Sequence, residues 1–169
     1  MRLHNALLMS VLFATACGPE SEPVPDETGT QASALASPSI TFWEGNFCGG
    51  DQVGSYPYNT AATIIPNSGG SGWSNDEARS MKLFQVPVGT VIRVYNSASG
   101  SHGDDWAEIV VNQYAEQLCV TSFEVSGTPN PHYSLRYCDT GGLDGKVSQV
   151  RAQPYAFVGD SCSGTWRYY

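Results

Sequence analysis

Hydrophobic and polar positions alternate most regularly between Asn75 and Val111, and this stretch indicates the fold class. Two apolar segments, residues 80–86 and 90–96, are separated by the turn-forming residues 87–89. A third apolar segment, residues 106–111, follows a loop rich in Ser, Gly and Asp. Such alternation, bounded by turn residues, is typical of half-buried antiparallel strands. We therefore predict strands in all three segments.

The rest of the segment from Pro38 to Tyr169 extends this pattern. It is rich in Gly, Tyr, Trp, Val and Ser, and it has no long apolar run at helical spacing. Its length suits one domain. Short apolar segments separated by Gly, Pro, Asn and Ser favour an all-β domain over residues 38–169. Within it, residues 51–74 are predicted to be a long loop, which in a compact domain is either functional or mobile.

The first residues of the chain have the features of a targeting signal. Arg2 precedes a short apolar run at residues 6–13, and small residues follow at 14–16. The apolar run is shorter than the roughly 20 residues that a membrane-spanning helix needs, so residues 1–16 are predicted to be a signal peptide. Small residues directly before Cys17 resemble the lipobox of bacterial lipoproteins. This resemblance implies cleavage before Cys17 and lipidation of that residue; an ordinary signal peptide with an incidental Cys17 is the alternative.

Residues 17–37 are predicted to form a disordered tether. They are acidic and rich in Pro and Ser, and they lack the aromatic residues that a packed core would require. Gly18 resembles the residue that follows the lipidated cysteine in lipoproteins of the outer membrane. We therefore expect an exported protein that is lipid-anchored at the cell envelope, in the outer membrane if the source is Gram-negative. The net charge of −8 argues against a nucleic-acid partner.

The remaining cysteines predict disulfides. An even number in an exported domain favours two bonds, which can be arranged in three ways. We favour Cys119–Cys138, because these two cysteines lie in neighbouring strand candidates, and Cys48–Cys162, because these lie near the two ends of the domain. A zinc site is disfavoured, since the chain has no CxxC motif or clustered Cys/His spacing.

Three segments resemble the βγ-crystallin family. Residues 40–50 (ITFWEGNFCGG) are similar to the opening hairpin of its Greek-key motifs, and residues 75–80 (NDEARS) resemble its calcium motif, Asn/Asp-Asn/Asp-x-x-Ser/Thr-Ser. Residues 142–150 (GLDGKVSQV) stand where a second calcium motif would fall. The resemblance implies a sandwich of two Greek keys, here stabilised by disulfides. Residues 38–151 are long for that fold, and the surplus is expected in residues 51–74 and 123–132.

The resemblance also implies a set of calcium ligands: Glu44, Asn75, Asp76, Asp144 and Ser148. Ca²⁺ requires about six to eight oxygen ligands. The motifs depart from the family pattern, because Arg79 replaces a hydroxyl residue, Gly145 replaces an Asn or Asp, and Gln149 replaces the final Ser. We expect at most weak Ca²⁺ binding and no required cofactor. The favoured interpretation is that Asp76 and Asp144 initiate turns through bonds to the backbone.

Other candidate chemistry is weaker. His102, Asp104 and Asp105 have the groups for a metal or proton-transfer site, but a solvated turn is the favoured interpretation. No nucleophile motif is present in the sequence, and we predict that the protein is not an enzyme.

The tryptophans allow two interpretations. They are either core residues or parts of a carbohydrate-binding platform. We predict that Trp43 and Trp106 lie in the core and that Trp73 and Trp166 are exposed.

These observations predict a lipid-anchored, non-catalytic and monomeric module with a binding or structural role. Its membrane contact would be the lipid, and its other partner an unidentified protein or glycan. The alternative is a protease inhibitor or toxin-like effector that presents residues 51–74 to its target.

Overall fold

A computed structural model describes residues 37–59, 63–66, 74–124 and 130–169, with residues 63–66 described as backbone. The predicted signal peptide, Cys17, all of the predicted tether except residue 37, and Trp73 lie outside the described residues.

The described residues form ten strands and one 3₁₀ turn at Asn46–Cys48. The strands are β1 Ser39–Trp43, β2 Gln52–Pro57, β3 Thr63–Pro66, β4 Ser80–Phe84, β5 Val91–Tyr95, β6 Trp106–Val111, β7 Gln117–Val120, β8 Tyr133–Asp139, β9 Gln149–Gln153 and β10 Thr165–Tyr168. Within these ranges the chain contains no helix of the length and apolar character needed to cross a membrane.

The strands form two antiparallel sheets that contain two Greek keys. One sheet has the order β2-β1-β4-β7 and the other β10-β8-β6-β5-β9-β3. In the first key, β1, β2 and β4 lie together, while β3 crosses to pair with β9 of the other sheet. In the second key, β5, β6 and β9 lie together, while β7 crosses to pair with β4. Each key therefore contributes its third strand to the sheet of the other, which confirms the all-β, two-Greek-key sandwich.

The core lies between the sheets and follows from the alternation along the strands. Ile40 and Phe42 of β1 are buried while their neighbours in the strand are half-buried. In β5 the expected alternation fails, because all five residues are buried. The reason is that residues 154–164, which we call the strap, contact the outer face of this sheet and hold Gly159 and Phe157 against Arg93. Both faces of β5 are consequently covered.

Two predictions about loops and surplus length need correction. Residues 51–74 are not a single loop, because β2 and β3 occupy residues 52–57 and 63–66. Apolar and polar residues alternate over only a few positions in these strands, and Gly and Pro interrupt them. The sequence pattern therefore did not indicate strands here. Within residues 38–151 the strand added to the eight of two Greek keys is β8, which follows residues 123–132, while the strap and β10 lie beyond residue 151.

The predicted disulfide pairing is wrong. The bonds are Cys48–Cys119 and Cys138–Cys162. Cys119 is in β7 and Cys138 in β8, which follow each other along the chain but belong to different sheets. Cys48 instead lies beside β7, since the amide of the adjacent Phe47 donates to Thr121 O at 2.8 Å.

The tryptophans are only partly where the sequence predicted them. Trp106 is fully buried, as expected, but on the outer face of the six-stranded sheet with its ring near Trp166. Trp43 is half-buried rather than in the core, with Lys82 Nζ 5.0 Å from its ring centroid. Trp166 is half-buried rather than exposed, because it packs beside Cys138 and Cys162.

Candidate functional site

The turns that precede β4 and β9 lie against each other and are related by approximate two-fold symmetry. The amide of Asp76 donates to Val147 O at 3.4 Å, and the amide of Gly145 donates to Ala78 O at 2.9 Å. Asp76 and Gly145 both have positive φ, 60° and 78°, which glycine adopts freely and aspartate tolerates better than most residues. Asp76 in the first turn is thus the structural counterpart of Gly145 in the second.

The same symmetry relates the residues that follow. The amide of Arg79 donates to Trp43 O at 2.9 Å, and the amide of Ser148 donates to Tyr95 O at 2.8 Å. Arg79 is therefore the counterpart of Ser148. Asp76 of the first turn lies against Ser148 of the second, and Gly145 of the second turn lies against Arg79 of the first. We call these contacts the Asp76–Ser148 junction and the Gly145–Arg79 junction.

The Asp76–Ser148 junction brings together three of the predicted calcium ligands. Ser148 Oγ donates to Asp76 Oδ1 at 3.0 Å, and Asn75 Nδ2 donates to Asp76 Oδ2 at 2.7 Å. Ser148 is buried, whereas Asn75 and Asp76 are exposed. The junction places one hydroxyl and one amide in contact with the same carboxylate. These are fewer oxygens than the shell of about six to eight that Ca²⁺ requires.

The Gly145–Arg79 junction contains a positive side chain, whereas the Asp76–Ser148 junction contains a negative one. A Cβ built at Gly145 would lie 3.0 Å from Arg79 Nη2, so the guanidinium occupies the space beside this glycine. A guanidinium is permanently charged and cannot be a metal ligand. Glu44, a further predicted ligand, lines a shallow cleft together with Asp76 and Arg79.

Asp144 lies in a separate network that closes the turn after β7. Its carboxylate accepts from Ser122 Oγ at 2.9 Å and from the amide of Phe123 at 3.1 Å. In return, Glu124 Oε1 accepts from the amides of Leu143 and Asp144 at 2.6 and 2.8 Å. Burial raises the pKa of Asp144. Across the part of the chain that is described, no three His, Cys, Asp or Glu side chains gather in a way that suits a metal ion.

His102 and Asp105 are held by different sets of residues. Asp105 is 2% exposed and accepts from Tyr137 Oη, the Thr140 amide and the Gly141 amide at 3.0, 2.6 and 3.0 Å. Burial alone would raise the pKa of Asp105, but these hydrogen bonds outweigh it and hold the pKa below its ordinary value. Asp105 therefore fixes the turn after β8, whereas His102 stacks on Trp106 at a centroid distance of 4.5 Å.

The outer face of the six-stranded sheet carries a row of charges that sequence reasoning missed. Arg93, Glu108 and Arg136 lie side by side on β5, β6 and β8 in direct register. Glu108 Oε2 accepts from Arg93 Nε at 2.6 Å, and Glu108 Oε1 accepts from Arg136 Nη2 at 2.8 Å. Opposite charges on neighbouring strands stabilise a sheet. The signal in the sequence was a charged residue inside each of the otherwise apolar strands β5 and β6.

Aromatic rings alternate with these two arginines to form what we call the arginine–aromatic ladder: Phe157, Arg93, Trp106, Arg136 and Trp166. The guanidinium carbon of Arg93 lies 4.7 Å from the Phe157 ring centroid and 4.8 Å from that of Trp106. That of Arg136 lies 5.8 Å from Trp106 and 4.9 Å from Trp166. Stacking of arginine on aromatic faces is favourable, and more so when water is excluded.

The strap contributes the remaining partners of the ladder. Arg93 Nη1 donates to Gly159 O at 2.7 Å, and Arg136 Nη1 contacts Asp160 Oδ2 at 3.1 Å. His102 Nε2 lies 3.3 Å from Arg93 Nη1. Burial, and then the charges of Arg93 and Arg151, lower the pKa of His102, which favours the neutral ring. The strap itself contains no buried residue, so these polar contacts and the Cys138–Cys162 bond attach it.

Beyond Arg136 the ladder opens into a groove along β8 and β10, the β8–β10 groove. Its volume is about 290 Å³, and it is lined by Glu108, Val110, Ser134, Leu135, Arg136, Tyr168 and Tyr169. Tyr168 and Tyr169 are 65% and 45% exposed. A charged pair and two exposed aromatic rings therefore share one concave surface.

Comparison with known proteins gives little further information. No family model and no curated protein matches the sequence. Among solved structures, the N-terminal domain of protein S is similar at 19% identity over 68% of this chain and 93% of that chain, with a TM-score of 0.37. The two-Greek-key arrangement described above therefore rests on the strand order of the chain itself.

Proposed function

We propose that this protein is an exported, lipid-anchored and non-catalytic β-sandwich that acts at the cell envelope as a binding or structural module. The observation that carries the proposal is the β8–β10 groove, in which Tyr168 and Tyr169 are exposed beside an arginine already fixed by Glu108 and Asp160. A surface whose side chains are held in place before a partner arrives loses less entropy on binding. Placing such groups on strands of a rigid sheet favours a binding role.

The use of three buried or half-buried carboxylates supports the same proposal. Asp105, Asp144 and Glu124 each accept bonds from backbone amides and thereby close turns. These groups stabilise the scaffold, which suits a module whose task is to present a surface. The alternative, an inhibitor or toxin-like effector, required residues 51–74 to form one long loop. Strands occupy residues 52–57 and 63–66, so this requirement is not met.

The lipid anchor is the part of the proposal that Cys17 supports. Replacing Cys17→Ser should abolish incorporation of labelled palmitate and shift the protein from the membrane fraction to the soluble fraction. The reason is that one signal alone gives only marginal membrane binding, whereas several acyl chains give stable anchoring. The measurement is fractionation of labelled cells that express the full chain. Wild-type protein that carries no label would remove the anchor from the proposal.

Weak calcium binding at the Asp76–Ser148 junction is the other testable part. Ca²⁺ that binds only the folded state with a Kd of about 1 mM would add about 1.4 kcal/mol to the unfolding free energy at about 10 mM Ca²⁺. We expect calorimetry to show this gain in the wild type and its loss in Asp76→Ala. Glu116→Gln, an exposed carboxylate remote from the junction along the chain, is the control and should keep the gain. If Ca²⁺ leaves the melting temperature of the wild type unchanged, calcium binding at this junction is contradicted.

A further inference from the structure

The β8–β10 groove has the size of a small binding site. Its volume of about 290 Å³ lies at the lower end of the range for ligand pockets, roughly 300–1,000 Å³. Such a volume suits one or two small rings rather than an extended chain. The polar groups at its edge and the aromatic rings on its wall then decide which class of small ligand it accepts.

Arg136 supplies hydrogen-bond donors for which the described residues provide no acceptor. A guanidinium has five N–H groups. Nε and Nη2 donate to Glu108 Oε1 at 2.9 and 2.8 Å, and Nη1 donates to Asp160 Oδ2 at 3.1 Å. Two N–H groups remain, on a side chain that is 26% exposed and flanked by Trp106 and Trp166. Because these contacts hold the guanidinium in one orientation, a ligand would meet donors that are already in place.

Tyr168 and Tyr169 supply an aromatic surface on a fixed backbone. The amide of Tyr169 donates to Leu135 O, and the amide of Leu135 donates to Tyr169 O, both at 2.8 Å. The main chain that carries the two rings is therefore held on β8. Each phenol adds a hydroxyl that both donates and accepts, and the exposed Ser134 adds another on the same wall. The groove thus offers apolar ring faces together with neutral donors and acceptors.

The charges around the groove are balanced. Among the side chains that line it, Arg136 is positive and Glu108, its ion-pair partner, is negative. A site without net charge has no electrostatic preference for an anion or a cation. A ligand that matches it is uncharged, has an apolar C–H face for the rings and has hydroxyl groups for the free donors. We infer that the β8–β10 groove binds a neutral saccharide of one or two units; this inference rests on the proposed binding function.

The test uses the full chain in detergent micelles. Neutral hexose and N-acetylhexosamine oligosaccharides are titrated by calorimetry, with oligosaccharides of uronic acids as the charged comparison. We expect binding of a neutral sugar that Tyr168→Ala weakens by roughly tenfold or more. Tyr114→Ala is the matched control, because Tyr114 is 60% exposed and does not line the groove, and it should bind as the wild type does. Thermal unfolding of both variants checks that each is folded.

The outcomes separate this inference from the proposed function. The inference is overturned if no saccharide binds, if only uronic acids bind, or if Tyr168→Ala binds as tightly as Tyr114→Ala. In these cases the proposed binding or structural module stands, but without a saccharide as the ligand of this groove. Release of new reducing ends from a bound oligosaccharide would instead overturn the proposed non-catalytic function. Binding of a neutral sugar that depends on Tyr168 and leaves the sugar intact supports both.

Discussion

Replacing Glu108→Ala should lower the unfolding free energy by about 3–5 kcal/mol, because it removes one partner of a buried ion pair. Arg93 is 2% exposed and would keep its charge without the carboxylate that now neutralises it, while its contacts to Gly159 O and His102 carry no negative charge. Arg136 would lose the acceptor of its Nε and Nη2 groups. The measurement is urea unfolding followed by tryptophan fluorescence, which reports on Trp106 and Trp166 within the arginine–aromatic ladder.

Asp160→Asn is the matched control for this prediction. Asp160 belongs to the same charge network, but its side chain is 66% exposed, and exposed ion pairs contribute about 0–1 kcal/mol. We expect its effect to stay within that range. If Glu108→Ala costs no more than Asp160→Asn, water reaches Arg93 in the folded protein, and the strap does not seal the outer face of the sheet.

Removing the two disulfides should have different consequences. The Cys48–Cys119 bond spans 71 residues and joins the turn after β1 to the third strand of the second key. The entropy of closing a loop of this length predicts a loss of roughly 4 kcal/mol when both cysteines are replaced by Ser. The loss should be global, because the bond connects the two Greek keys. Urea unfolding and hydrogen exchange of the β5 and β6 amides measure it.

The Cys138–Cys162 bond spans 24 residues and joins the strap to β8. Its removal should release the strap, since the strap has no buried residue and is otherwise attached by a few polar contacts and the stacking of Phe157. We expect faster amide exchange in residues 154–164 and a red-shifted tryptophan emission, with exchange in β1 and β4 unchanged. Equal acceleration of exchange in β1 and in the strap would show instead that the strap unfolds together with the sandwich.

The sequence predicted the fold class from the segments in which apolar and polar residues alternate over a long enough stretch. β4, β5 and β6 have apolar residues at regular spacing and were predicted, whereas β2 and β3 are interrupted by Gly or Pro and were missed. The disulfide pairing failed for a related reason. Cys119 and Cys138 are close in sequence, but the crossing of β7 into the other sheet separates them, and local pattern does not report such a crossing.

The candidate sites were predictable to different degrees. Asp76 and Ser148, which are in contact, both belong to the ligand set that the family resemblance implied, and Arg79 at the other junction was identified as a departure from the family pattern. The arginine–aromatic ladder was accessible only in part, through the charges inside β5 and β6. Its outer members come from the strap and β10, whose exposed residues show no periodic pattern that would assign them to a sheet face.

The exchange of third strands has a consequence for how this architecture can be divided. A polypeptide with one key alone would leave an unfilled position at the edge of its sheet, where β7 or β3 now pairs. We expect the third strand of a second molecule to fill that position, while the third strand of the first molecule pairs with the second molecule in the same way. We therefore expect one key expressed alone to associate as a symmetric dimer, and joining two keys in one chain makes that association independent of concentration.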